Sequence, residues 1–141
     1  MDRYIQNIGF LFLRIFVGGT MLLAHGVPKL LDPKPFIEAL SSNGFPLPNI
    51  MAYLSISAEA IFPVFIILGV FTRVSALIAA INMFVALFVF HLNIKGDPFA
   101  NFEKAFLYMI VFIFIAIAGG GDWTLKRFFN RKSVSDSNFE V

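Results

Sequence analysis

Four apolar stretches, each long enough to cross a lipid bilayer, constrain this chain more than any single motif. They run from about Ile8 to Val27, Ile50 to Val70, Val74 to Leu92 and Glu103 to Gly119. Crossing ~30 Å of hydrocarbon at ~1.5 Å per residue takes ~20 residues. The fourth stretch has the shortest apolar core and recruits "FANF" to reach the interface. Of the 141 residues, 58% are hydrophobic and 14% are charged, whereas about a quarter of a soluble domain is charged. The expectation is an all-α membrane protein, a four-transmembrane-helix bundle over residues 1–122. A basic, then polar and partly disordered tail follows at 123–141. Arg3 and the apolar run after it resemble a signal peptide. Arg14 interrupts that run, however, and no small-x-small cleavage site follows "MLLAHGVPK", so a retained helix is expected.

The connections differ in kind. A long proline-rich loop, "VPKLLDPKPFIEALSSNGFPLPN", follows the first helix. Within it "PFIEALSSNG" reads as a short interfacial helix stopped by Gly44. Pro28 is expected to help end the first helix, because it disfavours helical geometry at Val27. Only "FTR" joins the second and third stretches, a tight hairpin, and the turn-rich "NIKGDPFAN" joins the third and fourth. Arg3, Arg73, Lys126, Arg127, Arg131 and Lys132 fall on one side. Lys29, Lys34, Lys95 and Lys104 fall on the other. By the positive-inside rule both termini are expected in the cytoplasm of a bacterial inner membrane.

The chain has no cysteine. Disulfides, thiol exchange and self-ligated iron–sulfur clusters are therefore excluded, and redox chemistry would need a bound cofactor or a partner. A formal charge of +2 without an aromatic-interleaved basic patch argues against nucleic acid. Two histidines make a weak metal signal, and no metal site is expected.

The informative residues are the polar ones inside the apolar stretches. An ionisable side chain near the bilayer centre costs at least ~2.5–3.5 kcal/mol, so it turns inward and finds a partner. Counted from the inner edge, Arg14 lies roughly 10–14 Å deep, Glu59 roughly 15 Å and Asn82 roughly 13 Å. One buried layer of Arg14, Glu59 and Asn82 is predicted, with Arg14 and Glu59 as an ion pair. Pro63, four residues after Glu59, leaves the Glu59 carbonyl without its helical donor and predicts a kink there. Asn7, Arg14, Gly18, His25 and Lys29 recur at steps of 7, 4, 7 and 4 and share one inward stripe. His25, Lys29, His91 and Glu103 form an expected outer polar layer. His91 is nine positions from Asn82, on the opposite side of an ordinary helix. The phenylalanines of the third and fourth stretches read as lipid-facing, and Tyr108 and Trp123 as interface or packing aromatics.

The blocks "FLRIFVGGTMLLAHGVPKLL", "GFPLPN", "SAEAIFPVFIILGVFTRVSALIAAINM", "FEKAFLYM" and "AGGGDWTL" occur in an order that resembles the DoxX family of small four-helix membrane proteins. The likeness runs to about Phe128. It points to Arg14, Gly26, Lys29, Glu59, Gly69, Thr72, Arg73, Glu103 and the glycines before Asp122 as pattern positions. "GGGDWTLKRF" departs from the Ser-Leu-Asp-like turn more usual in that family. The resemblance implies a link to quinone-dependent redox or oxidative-stress systems, since the family is named for a subunit of a thiosulfate:quinone oxidoreductase.

The leading expectation is an inner-membrane protein whose outer-leaflet cavity takes a quinone. Lys29, His25, His91 and Glu103 would contact the headgroup, with Arg14 and Glu59 at the floor. The partners would be the bilayer and a redox enzyme or other membrane subunits, with room for a homo-oligomer. A second reading is a non-enzymatic scaffold or accessory subunit that presents Gly18, Gly19, Ala76, Ala79 and Ala80 to partners. A third is a proton or small-solute carrier, disfavoured because Pro63 has no matching break in the fourth helix. Whether the chain is itself an enzyme is left open by its residues.

Overall fold

Leucine, isoleucine, phenylalanine and alanine fill the four apolar stretches, and each stretch forms one helix. A computed structural model describes residues 2–125 and Arg127. Lys126 and residues 128–141, most of the expected tail, lie outside the described residues. Helix α1 spans Asp2–Leu31, α2 Lys34–Ser42, α3 Pro48–Leu68, α4 Thr72–Lys95 and α5 Phe99–Ala118. Among the described residues there is no strand. Helices α1, α3, α4 and α5 are each long and apolar enough to cross a membrane. The short α2 forms where the sequence predicts a helix between the first two spans, and it ends in a Schellman turn at Gly44, where φ is +72°.

The outer surface carries exposed Phe12, Phe16, Leu77, Ile110, Phe114 and Ile117. Such a surface would aggregate in water and is ordinary against lipid tails. Inside, Met21 of α1, Ile66 of α3, Ala76, Ala79, Ala80 and Met83 of α4, and Phe112 and Ile115 of α5 form one core. The alanines let α4 and α5 approach closely. Gly18, Ala76, Ala79 and Ala80 are thus consumed by packing within the bundle. Gly19 has open space before it.

Pro28 does not end the first helix, which runs on to Leu31. The turn before it, Leu22–Gly26, widens to π geometry, with the Val27 N–H bonded to Leu22 O. A widened turn is a common way for a helix to absorb a local misfit such as a proline ring. The "FTR" hairpin forms as expected. Gly69 takes φ +73° at the end of α3 and Phe71 takes φ +47° before α4. The Gly69 N–H bonds to Ile66 O and the Val70 N–H to Phe65 O, closing a second Schellman turn.

Pro63 sits inside α3 and is buried. It has no N–H to give to Glu59 O, and α1 meets that carbonyl with Gly26. A Cβ on Gly26 would lie 2.3 Å from Glu59 O and 2.8 Å from the Ala60 Cα. Only glycine fits there, because both neighbours are backbone. One turn of α1 cannot move without moving α3.

Gly26→Ala is therefore expected to cost about 1–3 kcal/mol through overpacking. Gly19→Ala, which meets nothing within 4 Å, should leave stability unchanged or raise it. Thermal unfolding of the two variants in mild detergent measures the contrast.

Candidate functional site

The antiparallel crossing of α1 on α3 decides which polar groups meet. Gly26 lies against Glu59, so Lys29, one helical turn further along α1, reaches the Glu59 side chain. Lys29 Nζ donates to Glu59 Oε2 at 2.6 Å. Asn82 Nδ2 of α4 donates to Oε1 at 3.2 Å, and Ser55 Oγ donates to the same oxygen at 3.4 Å. The Glu59 side chain is 5% exposed and that of Lys29 is 25% exposed. A carboxylate this deep persists only with such donors. The ammonium also sits 4.2 Å from the centre of the Phe36 ring on α2, a favourable cation–π placement.

This cluster forms the polar end of a cavity of about 480 Å³ between α3, α4 and the covering α2. Phe36, Phe45, Met51, Phe62 and Phe90 supply much of its apolar wall. Helix α2 covers it because Phe36, Ile37 and Leu40 face inward and pack with Phe45, Ala52 and Phe90. Leu54 of α3 and Ile81 of α4 also line the cavity, and both are more than half exposed on the outer surface. The cavity therefore opens sideways towards lipid.

His91 lines the same cavity as Asn82. Nine positions of an α-helix, about two and a half turns, would set them on opposite sides. From Val85 to Lys95, however, α4 is π-helical. Each turn there holds more residues, which swings His91 round towards Asn82. His91 Nδ1 lies 2.6 Å from Asp97 Oδ2. Asp97 is fixed in turn by Asn101 Nδ2 at 3.3 Å and Lys95 Nζ at 3.4 Å. The His91 hydrogen bond, more than those from Asn101 and Lys95, holds the Asp97 carboxyl below the usual carboxylate range, against a smaller opposing effect of burial. Asp97 is thus an anion near neutral pH and Nδ1 is the donor.

The predicted Arg14–Glu59 pair does not form. Arg14 is almost fully buried but lies twelve residues before Gly26, about 18 Å along α1. Nη1 points at Ile66 O and Ile67 O, each 3.5 Å away, and Nη2 donates to Trp123 O. It caps the carbonyls at the end of α3, where the helix dipole favours a cation. Counting depth along separate helices missed this, because the turn after α5 folds back beneath the bundle. Asp122 N donates to Asn7 Oδ1 at 2.9 Å, and Arg127 pairs with Asp122. Tyr4 meets Trp123 edge-on.

Gly69, Thr72 and Arg73 belong to this same end. A Cβ on Gly69 would sit 2.2 Å from Arg14 Nη1, and one on Gly120 2.9 Å from Thr72 Oγ1. The Arg73 guanidinium lies beside Gly119. Of the expected outer layer, Lys29 and His91 reach the cavity. His25 instead meets Tyr108 of α5 edge-on at 5.7 Å, and Glu103 is exposed on the first turns of α5. Ser55 and Asp97 were missed. Ser55 is signalled by its position one turn before Glu59. Asp97 follows a helix whose widening no propensity reveals.

Fold and cavity together define a multi-pass four-helix membrane protein with a lipid-facing, one-ended polar pocket. The DoxX family model matches residues 9–92, and the chain belongs to that family. It is 32% identical to a protein of Haemophilus influenzae named only as uncharacterized, covering 86% of this chain and 90% of that one. It is 29% identical to "Putative oxidoreductase CatD" of Bacillus subtilis, over 80% and 81% of the two chains. No solved structure matches the chain significantly.

Two expectations follow. Double-mutant cycles should give Lys29 and Glu59 a coupling of about 0.5–3 kcal/mol, with Lys29→Met costing more than Lys29→Met/Glu59→Gln. Arg14→Gln and Glu59→Gln should add, because their partners are separate. Second, a depressed Asp97 stabilises the fold fully above the unfolded carboxylate value of about 3.9 and loses that contribution as pH falls through its lower folded value. The stability gap between wild type and Asp97→Asn, followed by thermal unfolding against pH, should close on acidification.

Proposed function

We propose that this protein is a bacterial inner-membrane subunit of a quinone-linked redox or oxidative-stress system, with both termini in the cytoplasm. One observation carries the reading: an aromatic-walled cavity, open to lipid, ends in fixed hydrogen-bonding groups. Its volume falls in the ~300–1,000 Å³ range of small-molecule sites. The sideways opening suits a ligand dissolved in the bilayer over one dissolved in water. The name of the Bacillus subtilis relative, 29% identical, agrees with redox chemistry.

The donor set fits a quinone headgroup, whose two oxygens accept hydrogen bonds. Lys29 has three N–H groups, of which Glu59 occupies one. His91 faces the polar group from α4. Phe36, Phe62 and Phe90 supply flat apolar walls for a ring and the start of a tail. A bound quinone supplies the two-electron chemistry. The chain's residues position it, exclude water beneath α2 and hold protons at Lys29 and His91. With no cysteine in the sequence, the electrons come from a further bound cofactor or a partner protein, and the subunit reading takes the second.

Protein purified in mild detergent should retain quinone detectable by mass spectrometry, or bind added decylubiquinone saturably. Ala86→Phe, which projects a ring into the cavity, should weaken binding at least tenfold while thermal stability stays within a few degrees. Wild-type protein that neither retains nor binds a quinone would sink the proposal.

A further inference from the structure

The cavity holds one polar side chain whose direction is fixed from behind. His91 gives Nδ1 to Asp97 at 2.6 Å, and Asp97 is braced by Asn101 and Lys95. Among the described residues Nε2 has no hydrogen-bond partner, although the side chain lines the cavity. The other charged groups nearby each have a charged partner. Lys29 and Glu59 hold each other, and Lys95 lies over the Phe90 ring and against Asp97. The Phe102 ring of α5 packs beside the imidazole without a charge.

Asp97 therefore selects the neutral tautomer with hydrogen on Nδ1 and a lone pair on Nε2. The protonated ring instead carries hydrogen on both nitrogens. The two states differ in what Nε2 can offer a ligand. Resting on the reading of the cavity as a quinone site, we propose that His91 makes its preference between quinone and quinol depend on pH. Protonated His91 donates from Nε2 to a quinone carbonyl oxygen, which can only accept. Neutral His91 offers a lone pair, which faces a quinone oxygen unfavourably but accepts from a quinol hydroxyl. Asp97 is the positioning residue, because without it the neutral ring could turn N–H towards the cavity in the other tautomer. The π-helical stretch Val85–Lys95 brings the dyad to the cavity, and widened helical turns recur at functional sites.

The test is calorimetric binding of decylubiquinone and decylubiquinol to full-length protein in nanodiscs at a series of pH values from about 5 to about 8. Wild type should lose about tenfold in quinone affinity as pH rises, the loss of one hydrogen bond from a charged donor. Its quinol affinity should not fall. In His91→Gln, whose amide donates at every pH, quinone affinity should no longer depend on pH. Asp97→Asn, whose amide accepts or donates towards Nδ1, should shrink the quinone–quinol difference, and it carries the test if His91→Gln does not fold. A wild-type pH dependence that survives in both variants overturns the role of His91 and leaves the quinone site standing. Wild type that binds neither ligand overturns both.

Discussion

Everything in the half of the bundle covered by α2 depends on the contact between Gly26 and the carbonyl of Glu59. Pro63 removes the donor that carbonyl would have had, and Gly26 brings α1 against it so closely that no side chain fits. That contact sets the register of α1 on α3. The register then places Lys29 at the Glu59 carboxylate, and the carboxylate gathers Asn82 and Ser55. Residue 59 is thus bound to the neighbouring helix through its backbone and its side chain at once.

The bundle has two polar ends. At the end covered by α2 the charges are paired and border a cavity of about 480 Å³. At the opposite end Arg14 points at carbonyls of α3 and of the turn at Trp123, and it lines a cavity of about 470 Å³. Gly69 makes room for the guanidinium, and Asn7 and Asp122 clamp the turn. The second glycine-dependent contact therefore seats a buried cation, Arg14.

The helices, the short α2, the tight hairpin and the inward stripe of α1 were legible in the sequence, because apolar length, Gly44 and the 7-4-7-4 spacing each have one physical meaning. Arg14, Glu59 and Asn82 were rightly read as inward-facing. Their pairing was not legible. Arg14 and Lys29 were both cations on the stripe that faces Glu59, and choosing between them needs the register, which Gly26 sets by shape. The shared position of His91 and Asn82 was hidden for a different reason. The spacing argument assumed 3.6 residues per turn, and α4 departs from that over Val85–Lys95.

That departure changes what a comparison of related chains should count. In an ordinary helix the identity of a side chain and its distance from a landmark together tell where it points. Here the aim of His91 is stored in the number of residues between Asn82 and Asp97. A relative could keep the asparagine, the histidine and the aspartate, lose a single residue among them, and turn the imidazole out of the cavity. In a chain built like this one, a gap in the third membrane helix would re-aim the imidazole as surely as a substitution would remove it.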